Sequence, residues 1–561
     1  MLTDVDILRE VILMKSKKVI TILAFMLVAI LAACTNEGAP ATVEVAAPTA
    51  EVGPLGRFDP GITVTSVRSD VSSSVYDIML DGDDLENNPW TRAYYNELGI
   101  RLEYNWIVPA DQFDQRFGLS VAAGDLPDMM RINSMTQLRL LLDSDLILDL
   151  TETFDQWATP LTQEIVNMDG GFSMRTAMFG GRLMAIPETD GMADQTSMIW
   201  IRQDWLDALG LDRPTTMSEL EDVMEAFVEA DFSGRGTFGM AVQNNLLARG
   251  NMEVAGFMAG HHAQLDGWIL DSSGNLIFGS IQPEMRSAVS HLADLFSRGL
   301  IDPEFGVKNA TMAAEDISAG RIGVSFGRHW NALFPLNMSK DADSEADWVA
   351  IPIVSVDAAP ARSLFSNPVP FYNVVTTQAA HPEALVMMVN LWNDKFFNRP
   401  DLDHTLYGGD LIHLPPFKTW TPTKNIDARL AVVDALETRD ISGSDPEQSF
   451  YYDYISDWIA GSGETLGWSY YRVFGPQGSQ AITRDAFENN LYVFNEFYGP
   501  PTQTQITRWS VLNDLKLDTF MRIITGAAPI EEFDNFVEQW LSLGGEDVTT
   551  EINEWFREVN E

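Results

Sequence analysis

The sequence predicts an α/β protein of two lobes with a mainly helical C-terminal region. Three observations lead there. Apolar, β-branched runs alternate with helical patterns from Gly61 onward. The body after Arg57 is about 500 residues, too long for one hydrophobic core. Past Ala435 strand patterns become rare and long amphipathic patterns take over.

Gly61 to Val67 and Ile100 to Val108 read as strands, and Pro89 to Leu98 between them reads as a helix stopped by Gly99. A strand, a helix and a second strand in that order imply parallel pairing. Gln112 to Ala123 is a second helix ending at Gly124, followed by a turn at Asp125 to Asp128 and a short strand. The alternation continues through Ile199–Ile201 (strand), Gln203–Leu209 and Glu219–Ala230 (helices), Pro283–Arg298 (helix) and Ile322–Phe326 (strand). Thr215 or Thr216 can cap the helix that follows, with Glu219 in its first turn. Asp271-Ser272-Ser273-Gly274-Asn275 between apolar runs reads as a hairpin turn. Gln505–Ile524 and Ile530–Leu543 carry the helical period of the tail. The sequence has no internal repeat.

The N-terminus has its own logic. Lys15, Lys17 and Lys18 precede an apolar run from Val19 to Ala33, short for a membrane span but right for the core of a signal peptide. The run ends Leu31-Ala32-Ala33-Cys34, which matches the lipobox of bacterial lipoproteins. Cys34 is the only cysteine of the 561 residues, so no internal disulfide can form. Met14 directly precedes the basic residues and is the expected start, with residues 1–13 an upstream extension. Thr35 to Pro54, rich in Ala, Pro, Thr, Val and Glu, reads as a flexible tether.

Composition bounds the partners. A hydrophobic fraction of 45% with 15 Trp and 30 Phe means a packed body and not a disordered one. A net charge of −45 argues against nucleic acid and anionic membrane surfaces.

Several segments together resemble the extracellular solute-binding proteins of ABC importers, in the large lipoprotein class of the family-1 (sugar-binding) group. They are Gly124-Asp125-Leu126-Pro127-Asp128; Trp200-Ile201-Arg202-Gln203-Asp204-Trp205-Leu206 with the following Pro214-Thr215-Thr216; Arg298-Gly299-Leu300-Ile301-Asp302-Pro303-Glu304-Phe305; and Thr525-Gly526-Ala527-Ala528-Pro529-Ile530. Their order covers nearly the whole chain after Arg57. The resemblance implies a two-lobed, type II periplasmic-binding-protein-like fold with discontinuous lobes, a hinge and a ligand cleft. The expected boundaries are a signal peptide at 1–33, the lipidated Cys34 and tether at 34–57, lobe 1 at 58–186, lobe 2 at 187–345, a return to lobe 1 at 346–435, and a helical region at 436–561 completing lobe 2. One segment departs from the family pattern. Where relatives carry an oxygen-rich loop, Ala230 to Thr237 places Phe232 and Arg235, and calcium needs six to eight oxygens. No metal and no cofactor are expected.

A sugar site needs flat aromatic faces for C–H surfaces and polar groups for hydroxyls. Trp330 with His329 follows a predicted strand and is expected in the cleft; hinge packing is the competing placement. Trp468 and Tyr470 follow the Gly-rich stretch Ala460 to Gly463 and suit a sugar platform; core packing competes. Trp90 follows Asp83, Asn87 and Asn88, a cluster that either faces the cleft or caps a helix. Glu188 and Asp190 lie where the family chain crosses between lobes. Arg202 ends a short strand and either reaches the ligand or forms an ion pair. Trp392, Trp509, Trp540 and Trp555 sit at helical spacing and are expected in the core.

Enzyme motifs fail their contexts. Gly323-Val324-Ser325-Phe326-Gly327 matches a nucleophile elbow, yet Ser325 lies inside an apolar strand pattern. Gly234-Arg235-Gly236-Thr237-Phe238-Gly239 matches a dinucleotide loop but follows a helix. His261 and His262, being adjacent, do not share a helix face. The expectation is therefore a monomeric, non-enzymatic, lipid-anchored extracellular protein that captures a carbohydrate, an oligosaccharide, and delivers it to ABC permease subunits. A secreted glycoside hydrolase with paired carboxylates is the alternative.

Overall fold

The computed structural model describes residues 52–399 and 403–560. The expected signal peptide, Cys34 and most of the tether lie outside the described residues.

Lobe 1 begins with Ile62–Ser69 and Ile100–Val108, which pair in parallel with a register shift between Ser66 and Val67. The helix between them starts at Pro89 behind an Asn88 capping box and ends at Gly99, φ 70°. Positive φ there is why glycine stands at that position. The second sheet of this lobe is antiparallel, in the order Met129–Ile132, Phe371–Val375, Ile186–Glu188. Its members come from three distant stretches of sequence, so the lobe is discontinuous. Thr65 main chain and hydroxyl both donate to Asp128, at 2.7 and 2.8 Å, tying the first strand to the turn before the second sheet. The core holds Tyr94, Met130, Ile132, Ile186, Val374 and the helix Glu383–Asn398.

Lobe 2 is built on four strands in the order Trp348–Pro352, Met198–Arg202, Ile322–Gly327, Phe238–Met240. Both faces are covered, so the central strand Ile322–Gly327 is buried at every residue. One face packs Met217–Ala230 and Pro283–Ser297, together with the terminal helices Gln503–Ile524, Glu532–Trp540 and Glu546–Asn560. The other packs Lys424–Thr438, Pro446–Ile459 and Thr465–Phe474. Thr216 caps Met217–Ala230 by accepting from Glu219 NH, while the Glu219 carboxylate takes the Thr215 NH and hydroxyl. The Asp271 turn closes a hairpin of Trp268–Leu270 with Leu276–Phe278.

Both ends of the expected lobe 1 return move. Trp348–Pro352 pairs with Met198–Arg202 and so belongs to lobe 2, not to a lobe 1 return beginning at 346. The return strand is Phe371–Val375. Lys424–Thr438 likewise packs on lobe 2 through Ala428 and Val432. An apolar strand suits either sheet; only its pairing partner decides which.

Candidate functional site: a cleft with two compartments

The site lies where open α/β sheets place ligands, beyond the carboxyl ends of strands. Arg68 stands near the end of Ile62–Ser69, and Arg131 near the end of Met129–Ile132. Glu188 closes Ile186–Glu188. His329 and Trp330 form one turn directly after Ile322–Gly327. The stretch between Ile412 and Lys424 supplies the rest of the wall.

Two compartments result. The larger, about 770 Å³, is lined by Arg68, Phe113, Arg131, Phe371, His413 and Lys418, among others. The smaller, about 380 Å³, is lined by Asp190, Asp194, Arg328, His329, Trp330, Trp420, Lys424 and Tyr470, among others. His413 borders both, so they are adjacent parts of one cleft running from lobe 1 to the face of lobe 2.

The lobe 1 sheet explains the first wall. Residues directly opposite on paired strands share a face, and so do residues two apart. Arg131 is opposite Asn373, and Glu188 is opposite Phe371, two residues along the same strand. Arg131 therefore reaches across the middle strand. It makes a bidentate pair with Glu188, at 2.5 and 2.9 Å, and lies 3.2 Å above the Phe371 ring. The pair fixes a planar cation at the cleft edge.

Lys418 is 4% exposed and donates to the Ile412 carbonyl at 3.0 Å. Burial, then Arg131 and Arg68, push its ammonium down to about 7, against the opposing pull of Glu188 and Asp190. Enclosure by the cleft walls, then Lys418, Lys424, Arg131 and Arg68, push the His413 imidazole down to about 3. It is neutral at pH 7 despite its solvent-facing position. In the smaller compartment, enclosure and then Asp194 hold the Asp190 carboxyl above its usual range. Asp194 accepts from Asn425 and Gln480, and Glu447 accepts from Lys424 and Tyr451.

The residues singled out in the sequence divide in three. Asp190, His329, Trp330 and Tyr470 line the smaller compartment. Glu188 stands behind the wall, positioning Arg131. Trp90, Trp468 and Arg202 do not line the cleft. Trp90 is fully buried between Trp392, at 4.9 Å, and Tyr407, at 5.1 Å, with Asn88 serving as helix cap. Trp468 is 2% exposed in the core under Thr465–Phe474, where a loop platform was expected. Arg202 makes its ion pair with Asp204 and stacks 4.4 Å over Trp205. Ser325 is fully buried inside its strand, which rules out the elbow geometry. In the loop after Met217–Ala230, the Asp231 carboxylate already accepts from Ser233, Gly236 and Thr237, and Phe232 stacks on Trp205 at 4.8 Å.

Arg68, Arg131, Lys418, Trp420 and Phe371 carry little signal in the sequence. Arg68 and Trp420 stand among Ser and Thr, and Arg131, Phe371 and Lys418 follow or lie in short apolar runs, with no motif about any of them. Only Arg131 has a local cue, since it follows the Asp125–Asp128 turn by three residues.

Comparison with known proteins agrees with this architecture. The model of the bacterial extracellular solute-binding protein family matches residues 86–392. The polygalacturonan/rhamnogalacturonan-binding protein YtcQ of Bacillus subtilis is 21% identical over 466 residues, 82% of this chain and 86% of that one. The fructooligosaccharide ABC transporter substrate-binding protein FusA of Streptococcus pneumoniae is 24% identical over 221 residues, 37% of this chain and 40% of that one. Among solved structures, an HMO-binding, ABC-transporter-associated solute-binding protein from Bifidobacterium longum infantis superposes with TM-score 0.60 at 17% identity, covering 88% of this chain and 98% of that one. The alginate-binding protein AlgQ2 without calcium ion gives 0.58 at 14% identity, covering 91% and 100%. The expected type II periplasmic-binding-protein-like fold is the fold observed. Two discontinuous lobes, a cleft at the strand ends and a family match over more than half its length place this chain in the bacterial extracellular solute-binding protein family.

Proposed function

We propose that this protein captures an oligosaccharide outside the cell and hands it to the permease of an ABC importer, held to the membrane by a lipid on Cys34. The observation that carries the reading is the cleft itself. Trp330, Trp420 and Tyr470 border the smaller compartment beside amide, imidazole and carboxylate groups. Aromatic faces suit the C–H surface of a pyranose, and the polar groups suit its hydroxyls. The cleft volumes suit several sugar rings and not a single ion. YtcQ and FusA are both named for carbohydrates, which supports the same class. Binding would draw the lobes together about the crossing segments, and the closed form would dock on the permease.

A glycoside hydrolase has one observation in its favour. Asp190 has a raised pKa, as a general acid needs. Its neighbours Asp194 and Glu447 are held by side-chain donors, which does not suit a free nucleophile or base. The test is to incubate the purified chain with a panel of oligosaccharides, following thermal shift and product together. Stabilisation without turnover is the expected result. Release of new reducing ends would overturn it in favour of the hydrolase.

A further inference from the structure

The two compartments differ in charge. The chain as a whole carries 81 Asp and Glu against 36 Lys and Arg. The smaller compartment follows that excess, with Asp190, Asp194 and Glu447 against Arg328 and Lys424. The larger one inverts it. Its lining holds Arg68, Arg131 and Lys418 against one carboxylate, Asp70. Asp70 is exposed and already accepts from the Tyr76 hydroxyl and the Val71 NH.

The cations are not equivalent. Arg131 is neutralised by Glu188. Arg68 donates to the carbonyls of Ser69, His413 and Leu414, and Lys418 to that of Ile412. Among the described residues neither forms an ion pair. Carbonyl dipoles satisfy hydrogen bonds but leave net charge uncompensated. Glu188, the carboxylate Lys418 feels most, is already committed to Arg131, so burying the Lys418 cation stays costly, and a site that does so is arranged for an anion that arrives from outside. A protein that needed these side chains only to pin the 412–414 loop would do so with neutral donors at lower cost.

Resting on the carbohydrate reading above, we infer that the larger compartment takes a carboxylate-bearing sugar, a uronic acid residue of an oligosaccharide, with Arg68 and Lys418 as its counter-charges. The smaller compartment takes the neighbouring rings through aromatic and hydroxyl contacts.

The test is titration calorimetry on the full-length protein with four probes: a galacturonate trimer, the same trimer fully methyl-esterified, an alginate trimer and a sulfated trisaccharide. Esterification removes the carboxylate charge and with it the charge-assisted hydrogen bonds, which costs about ten- to a hundredfold in affinity. A carboxylate trimer that binds that much more tightly than its ester supports the inference, whichever uronate is preferred. Equal affinity for acid and ester overturns it while leaving the carbohydrate reading intact. Tight binding of the sulfated probe alone overturns the carboxylate assignment. If no carbohydrate binds, both readings fall. Lys418→Met should bring the acid-to-ester affinity ratio towards one; a ratio unchanged from the parent overturns the role of Lys418. Should that variant not fold, Arg68→Gln carries the same comparison, with Arg68→Lys expected to restore part of the ratio.

Discussion

Arg131 and Glu188 offer the sharpest measurement of what holds the cleft in shape. Substituting Arg131→Met keeps much of the side-chain bulk over Phe371 and removes the charge. Glu188, 2% exposed, then loses both of its charge-assisted hydrogen bonds. Breaking a buried pair from one side costs about 3–5 kcal/mol, because the remaining charge stays buried and unmatched. Lys418 lies near enough to feel Glu188 and would recover part of that, so the lower end, about 3 kcal/mol, is expected. Glu188→Gln alone should cost less, since Arg131 sits at the rim, where water reaches it. The double variant should lie about 1 kcal/mol above the Glu188→Gln value, the packing that Arg131 loses over Phe371. Urea denaturation followed by circular dichroism supplies the four free energies of the cycle. A coupling energy of roughly 2 kcal/mol is expected from two charge-assisted bonds in a half-buried setting. Coupling below about 0.5 kcal/mol would refute the argument, since pairs of that strength are typical of solvated surfaces.

Four further outcomes follow from the same geometry. Trp330→Ala should weaken oligosaccharide binding about tenfold through the lost aromatic face, with little change in stability, whereas Trp468→Ala should cost about 3–5 kcal/mol of stability as a core deletion; calorimetry and denaturation together tell the two apart, and reversed effects would exchange their assignments. Lys418 has a folded pKa of about 7, below the ordinary lysine value, so its burial penalty is full below pH 7 and is relieved as pH rises above it; the urea midpoint of the parent should therefore rise between pH 7 and 9 relative to Lys418→Met. Affinity for a uronate should move the other way, falling by up to about tenfold per pH unit above 7 as the Lys418 ammonium is lost, with His413 already neutral across that window. A parallel slope in parent and variant would exclude Lys418 from both effects. Finally, the Asp231 turn should make the melting temperature insensitive to added calcium or chelator, and Asp231→Ala should lower it; a calcium-dependent rise would show that the internal bonds yield to metal.

Much of this protein was legible in the chain itself, for local reasons. Glycines at left-handed turns, such as Gly99, Gly124 and Gly210, stop helices wherever they occur. The Thr216–Glu219 cap and the Asp271 turn involve residues within four of one another, so sequence spacing alone specifies them. Hydrophobic period gave the helical tail, and the order of strands and helices gave the α/β class. His329 and Trp330 were singled out because they follow a predicted strand end, a position in sequence as much as in space, and Asp190 because it stands where the resemblance implies a crossing between lobes; all three line the smaller compartment.

What only the tertiary structure decided was long-range pairing and burial. Trp90 and Trp330 both stand in polar, turn-like surroundings in the sequence; one is sealed by Trp392, some three hundred residues away, and the other lines a cleft. Trp348–Pro352 could have joined either sheet, and its register with Met198–Arg202 placed it in lobe 2. The inverted charge of the larger compartment is the clearest case. Arg68, Arg131 and Lys418 are three cations from separate stretches of a very acidic chain, and no local pattern marks them. Folding brings Arg68 and Lys418 onto consecutive carbonyls of one loop and, among the described residues, gives neither an ion-pair partner. Net charge is a sum over sequence, but the field in a cleft depends on distance, and only the fold sets distance.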